Sequence, residues 1–244
     1  FFLQRLDNFL MCIVFFSPLS LSLNEFGIFF KNMDLSFPTE FLLFGFLFLV
    51  GFKIINNVKL FKNIFKNQIK YFLLIYLVWL LICSIISTMP LVSFKLLLTR
   101  IWYIVPFVIF GSLIFQKKPK RILHFIIAYS LSFSFVVIYT LVRHSTYFFS
   151  GPSSNWVVSP FFDDHTSYGA MLAFFLPVLG LLFSSSKIDR LYRIAAFLFF
   201  ALFSIGLIFS YTRAAWLSLI LALIFGVILK LRLKNFVHQK LMIH

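Results

Sequence analysis

Residues 194–229 read IAAFLFFALFSIGLIFSYTRAAWLSLILALIFGVIL, two long apolar runs that are separated by one charged residue, Arg213. A helix needs about 20 predominantly apolar residues to cross a bilayer. The runs are continuous rather than alternating, so the pattern predicts helices and not the strands of a membrane barrel. The sequence therefore predicts an all-α, polytopic transmembrane bundle with about eight spans, at about 8–24, 37–55, 71–89, 91–115, 122–142, 166–184, 194–212 and 214–232.

The composition excludes a soluble globular protein. Apolar residues make up 61% of the chain and charged residues 12%, against about 45–50% and about 25% in soluble domains. The 38 phenylalanines cannot all be buried in a core formed by 244 residues, because a chain of this size must also build a polar surface. We therefore expect one transmembrane domain over residues 1–244, with Cys12 and Cys83 as packing residues within it.

The net charge of +15 is explained by where the basic residues lie. The segment 53–70, KIINNVKLFKNIFKNQIK, carries five lysines and no acid, and such segments lie on the cytoplasmic side of a membrane. Successive crossings then place both termini in the cytoplasm, together with 17 of the 22 basic residues. The charge thus indicates membrane topology, and we predict no nucleic-acid partner.

Two arginines stand out because charge inside an apolar run is costly and often marks a site. Arg100 lies in VSFKLLLTRIWYIVPFVIF (92–110), about nine residues below the outer start of its run, roughly 13 Å along a helix. Arg213 lies at the tight outer connection between the last two runs. Each could be an interfacial anchor that extends its charge towards water. Alternatively, both guanidinium groups could bind one pyrophosphate, with Lys95 adding a third positive charge.

A polar cluster precedes the sixth run, in FFDDHTSYGAMLAFFLP (161–177). Asp164 or Thr166 could cap the helix through a side-chain acceptor, and Asp164 is also a candidate for substrate binding. His165 could orient an arginine or accept a proton, which makes it a candidate catalytic residue, although a lone histidine at a helix start is more often structural. We expect no metal site, because no second histidine or cysteine has ligand spacing with it.

The segments DHTSYGAMLA (164–173) and SYTRAAWLSL (210–219) resemble the O-antigen ligase and O-antigen polymerase family of bacterial membrane glycosyltransferases. The upstream SFPTEFLLFGFLFLV (36–50) and TRIWYIVPFVIFG (99–111) are similar to helices of the same family. The resemblance implies about ten to twelve helices in the whole protein and outer-side arginines that hold a pyrophosphate. It also assigns Arg213, and less specifically Arg100, to that role.

The resemblance implies transfer or polymerisation of a polyprenyl-pyrophosphate-linked oligosaccharide on the outer face of the bacterial inner membrane. The partners would be that glycan, a lipid or glycan acceptor and membrane lipids, with no cofactor. In the family, a large outer loop with the catalytic histidine follows such a run, so we expect the chain to continue beyond His244 and this piece alone to be inactive. A transporter or flippase for a lipid-linked or anionic solute, and a non-catalytic assembly subunit, remain alternatives.

Overall fold

The computed structural model describes residues 2–23, 36–56 and 69–241, and most of these residues are helical, as predicted. Every predicted run overlaps a helix in this part of the chain. The chain divides into two compact units, Phe1–Ala128 and Tyr129–His244. The single transmembrane domain over residues 1–244 remains a prediction.

In the described residues of the first unit there are five α-helices and the start of a sixth, with one very short strand pair. Strand β1 pairs antiparallel with β2, Leu21 opposite Phe37, which adds a small sheet to the predicted all-α fold. The stretch between Pro90 and Lys117 is helical throughout but passes through a π-helical segment, Val105–Phe110, that begins next to Pro106. The elements are α1 (Phe2–Phe16), β1 (Leu21–Ser22), β2 (Ser36–Phe37), α2 (Thr39–Asn56), α3 (Ile69–Ile86), α4 (Pro90–Ile104) and α5 (Gly111–Lys117).

The predicted first span, about 8–24, overlaps the first helix but extends beyond its end. The α-helix covers Phe2–Phe16, and Ser17–Leu19 form a 3₁₀ turn before β1. Pro18 has no backbone N–H for an α-helical hydrogen bond, and its ring disfavours continuation of the helix. The apolar run therefore continues past the point where the helix ends.

The core of the first unit lies between α1 and α2. Leu6, Leu10 and Ile13 occupy one face of α1, and each is almost completely buried. They pack with α2 residues that recur at the same helical spacing, including Leu43 and Phe46. This spacing of three and four residues is typical of a helix with one packed face.

The second unit is built around α8, which packs against both α9 and α10. The boundary between the units lies within α6. Gly206 of α9 allows a close approach, because a Cβ added there would lie 2.9 Å from the hydroxyl oxygen of Tyr168. The helices are α6 (Arg121–Ser145), α7 (Ser154–Val157), α8 (His165–Ser184), α9 (Arg190–Phe209) and α10 (Arg213–Leu241).

Three helices in the described ranges, α6, α8 and α9, are long and apolar enough to cross a membrane. This supports a membrane-associated helical protein. Crossing by all eight runs, the cytoplasmic location of both termini and the inner membrane remain predictions. Shorter apolar helices cover Leu6–Leu19, Thr39–Phe52, Tyr71–Ile86 and Arg213–Leu229.

Candidate functional site

The two segments that the sequence singled out in the second half of the chain are in direct contact. The Oγ1 atom of Thr212 donates a hydrogen bond of 2.9 Å to the backbone oxygen of His165. Thr212 is buried at this contact. The start of α8 is thereby joined to the residue that precedes Arg213, although 47 positions separate the two partners.

The contact depends on a glycine in the first turn of α8. A Cβ added to Gly169 would lie 2.7 Å from Thr212 Oγ1 and 2.8 Å from Thr212 Cβ. These distances are too short for a real side chain, so the absence of a Cβ at Gly169 lets the connection between α9 and α10 lie against α8. Gly169 lies within the segment DHTSYGAMLA, but no pattern in the sequence predicts this contact.

Asp164 caps α8, which is one of the two roles expected of it. Its Oδ1 atom accepts hydrogen bonds of 2.6 Å from the backbone N–H of Ser167 and from the hydroxyl of Thr166. The backbone donor of Ser167, followed by the hydroxyl of Thr166, lowers the pKa of the Asp164 carboxyl to about 2. Asp164 is therefore a permanent anion at neutral pH and is unsuited to accept a substrate proton.

Arg213 begins α10 and its side chain is exposed. The helix start is braced by Trp216, whose indole N–H donates a bond of 2.8 Å to the backbone oxygen of Leu207. Within residues 2–23, 36–56 and 69–241, no carboxylate forms an ion pair with Arg213. The backbone at Arg213 is thus held in place by the bond from Trp216. Its guanidinium group is exposed, and its charge is available to an external anion.

His165 is half-buried at the first position of α8. Its backbone oxygen is held by Thr212, so its position in the chain is tied to the segment that carries Arg213. An imidazole side chain is a common general base in enzymes. The structure therefore brings the segments of His165 and Arg213 together, and their chemical roles remain predictions.

A second histidine, His144, lies in the last turn of α6, next to the loop that connects α6 to α8, and was not selected from the sequence as a candidate site residue. It is 1% exposed, and its Nε2 atom lies 2.9 Å from the backbone oxygen of Ser150. Because a carbonyl oxygen only accepts, Nε2 carries a proton in this contact. The ring packs against Phe149 and Tyr211, at centroid distances of 5.4 and 6.2 Å, so His144 organises the loop from inside.

Tyr211 links this loop to the segment of Arg213. Its hydroxyl donates a bond of 2.8 Å to the backbone oxygen of Phe149, and its backbone has a φ of 52°. That left-handed conformation is uncommon for a bulky residue and reverses the chain at the end of α9. On the other side of the loop, the guanidinium group of Arg143 donates to the backbone oxygen of Ser159. The only sequence signal for these contacts is the Arg143–His144 pair at the end of an apolar run.

Arg100 and Lys95 lie on α4 in the first unit, and both are exposed. Lys95 interacts electrostatically with Glu40 of α2, which reduces its suitability as a third phosphate ligand. Arg213 belongs to the other unit, so the predicted pairing of Arg100 with Arg213 remains a prediction.

Comparison of the chain with models of protein families, with curated proteins and with solved structures finds no match.

Proposed function

We propose that this chain is part of a membrane glycosyltransferase of the O-antigen ligase or polymerase type, acting on a polyprenyl-pyrophosphate-linked oligosaccharide at the outer face of the bacterial inner membrane. One observation carries the proposal. The hydrogen bond between Thr212 and His165 joins the two segments on which the family resemblance rests, and Arg213 is exposed beside it without a carboxylate partner among the described residues.

The chemistry that we propose is a direct displacement. The hydroxyl oxygen of the acceptor attacks the anomeric carbon of the lipid-linked sugar, and the bond from that carbon to the pyrophosphate breaks. Arg213 stabilises the negative charge that develops on the departing pyrophosphate, because its planar guanidinium can donate two parallel hydrogen bonds to phosphate oxygens.

The proton of the acceptor hydroxyl must pass to a base. His165 is the described residue best suited to this role, because Asp164 is held as an anion by its capping bonds and His144 is buried. Arg100 is proposed as a second ligand of the same pyrophosphate. No cofactor or metal takes part in this scheme.

A transporter or flippase for the same lipid-linked anion is the second candidate. The π-helical segment Val105–Phe110, with Pro106 in its first turn, interrupts the long helix that carries Arg100. Interrupted helices line the substrate sites of many transporters, and π-helical turns are frequent at functional sites.

The test of the proposal uses the purified chain in liposomes, with a polyprenyl-pyrophosphate-linked saccharide and a saccharide acceptor. We expect Arg213→Ala to weaken binding of polyprenyl pyrophosphate by at least about tenfold, the loss of one charged hydrogen-bond partner. Arg213→Lys should bind at an intermediate strength, because an ammonium group cannot donate the two-point fork. Arg190→Lys, at another exposed arginine, is the matched control and should bind as the parent does.

Unchanged binding by Arg213→Ala would remove Arg213 from the site and overturn the proposal. Saccharide transfer to the acceptor that is lost in His165→Ala would support the transferase and identify His165 as the base. It would also contradict the expectation that this piece alone is inactive. If the lipid-linked saccharide crosses the liposome membrane and no product forms, the transporter is the correct function and the transferase proposal is wrong.

A further inference from the structure

A cavity of about 410 Å³ lies in the first unit, where α5 ends and α6 begins. Its volume falls in the usual range of small-ligand sites, about 300–1,000 Å³. Basic residues supply almost the whole lining, which consists of Lys118, Pro119, Lys120, Arg121 and His124.

The chain is ordered around this cavity by local hydrogen bonds. The backbone N–H of Arg121 donates to the oxygen of Lys118 at 2.9 Å, and that of Ile122 donates to the oxygen of Pro119 at 3.1 Å. The turn they form keeps Lys118 and Lys120 on the cavity wall, and both side chains are exposed. The lysines therefore reach the cavity from a structured turn.

Arg121 is held in place by a buried acid. Its Nε atom forms an ion pair of 2.9 Å with Asp7 of α1, which is only 2% exposed. Asp7 forms this ion pair with Arg121, and Lys118 and Lys120 give the lining residues an excess of basic side chains. The ion pair through Nε holds the Arg121 side chain against α1, and Arg121 also lines the cavity.

The position of the cavity at the start of α6 predicts that it lies near the headgroup layer of a membrane. Arg121 is the first residue of α6, one of the three helices long and apolar enough to cross a membrane. The end of such a helix lies at the headgroup layer, where the phosphates of anionic lipids attract clustered Lys and Arg. The charge distribution of the sequence predicts that this end faces the cytoplasm.

We propose that this cavity binds the phosphate of an anionic phospholipid headgroup, with Lys118, Lys120 and Arg121 as its ligands. The site is separate from Arg213 and His165 and does not depend on the glycosyltransferase proposal. The position of the start of α6 would then depend on the lipid composition of the inner leaflet. Because Arg121 pairs with Asp7, the same would hold for α1.

The test is native mass spectrometry of the purified chain in detergent, titrated with phosphatidylglycerol or phosphatidylcholine. The parent chain should retain phosphatidylglycerol in preference to phosphatidylcholine. Lys118→Gln combined with Lys120→Gln should weaken phosphatidylglycerol binding by about tenfold or more, because each basic residue near an anionic headgroup contributes about a factor of five. Arg121 is left unchanged, since its removal would leave Asp7 buried without its partner.

The matched control removes two exposed basic residues from another segment that is predicted to be cytoplasmic, by Lys187→Gln with Arg190→Gln. This control should lose less phosphatidylglycerol binding than the Lys118→Gln, Lys120→Gln variant, because Lys187 and Arg190 do not line the cavity. Both double variants are checked for an unchanged unfolding temperature in lipid-free detergent, and a Lys118→Arg, Lys120→Arg variant, which keeps the charge, should bind as the parent does.

The proposal would be overturned if the Lys118→Gln, Lys120→Gln variant bound phosphatidylglycerol as tightly as the parent does. It would also be overturned if the control variant lost as much binding as that variant. Glycerol 3-phosphate distinguishes a lipid from a soluble source of phosphate. If it displaces phosphatidylglycerol at a similar concentration, the site belongs to a soluble phosphate compound and the lipid proposal is wrong.

Discussion

Asp163 and Asp164 are adjacent carboxylates that the structure treats differently. Both are exposed, but only Asp164 accepts the N–H of Ser167 and the hydroxyl of Thr166. A side-chain acceptor at this position satisfies a backbone donor that the helix itself leaves unpaired. The polar cluster before α8 therefore includes at least one residue whose role is to begin the helix.

We predict that Asp164→Ala lowers the free energy of unfolding by about 1 kcal/mol, the usual cost of losing an N-cap side chain. Asp163→Ala, at the neighbouring exposed position, is the control and should change it by less than about 0.5 kcal/mol. Thermal unfolding in detergent at pH 7 measures both. Equal effects of the two substitutions would contradict the assignment of the cap to Asp164.

The cap also predicts a pH dependence. The pKa of Asp164 is lowered from the ordinary value of 3.8 to about 2 in the folded chain, so the folded state favours the charged form. The stability that this gives is present in full above the ordinary value and is lost as the pH falls towards 2. The difference in unfolding temperature between the parent and Asp164→Asn should therefore be constant from pH 7 to about 5 and shrink below about pH 4. A constant difference down to pH 3 would show that the carboxylate charge contributes nothing.

At the scale of the helices, the closest approach in the candidate site is that of α8 to the connection before α10. Gly169 leaves room for Thr212 and Ser210. A Cβ added to Gly169 would lie 3.2 Å from the Oγ atom of Ser210. Gly226, in the middle of α10, has nothing within 4 Å of such an atom. A close contact therefore requires glycine at position 169, whereas no contact requires it at position 226. Substitution by alanine at each position distinguishes the two cases.

We predict that Gly169→Ala lowers the free energy of unfolding by about 1–3 kcal/mol, because one methyl group must displace atoms attached close to the backbone. Gly226→Ala should be neutral or stabilising by up to about 1 kcal/mol, since alanine favours a helix more than glycine does. Unfolding in detergent measures both changes. A Gly169→Ala protein as stable as the parent would contradict the tight contact between α8 and Thr212.

At the scale of the whole molecule, the distribution of charge predicts which side of the membrane each connection occupies. Asn155 precedes α8 and a short connection with Ser186 follows it, and both residues are exposed. The helix between them, His165–Ser184, is long and apolar enough to cross a membrane. These two positions therefore test one crossing directly.

In a background without Cys12 and Cys83, we predict that a cysteine at Asn155 reacts with a membrane-impermeant thiol reagent in intact cells. A cysteine at Ser186 should react only after the cells are permeabilised. Labelling of both in intact cells would mean that α8 does not cross, and labelling of Ser186 alone would reverse the orientation.

The sequence by itself determined the helical nature of this protein and the approximate place of each helix. Long apolar runs must satisfy their backbone hydrogen bonds internally when lipid surrounds them, and a helix does so within a single segment. The same reasoning failed at the first run, where Pro18 ends the helix inside an apolar stretch. The apolar residues of a segment determine whether it lies in lipid or in water. Where its helix ends depends on residues such as proline, which has no backbone N–H to donate.

The tertiary structure decided which distant residues meet. Neither apolarity nor helical spacing connects Thr212 to His165, or Tyr211 to the loop at Phe149, because these bonds depend on how closely two helices pack. The packing distance depends on the missing Cβ of Gly169, and His144 is buried against three aromatic rings, those of Phe149 in the loop before α8 and of Phe209 and Tyr211 at the end of α9. Residue types could therefore be predicted along the chain, but the partners of Thr212, Tyr211 and His144 arise only when α8, α9 and the loop before α8 pack together.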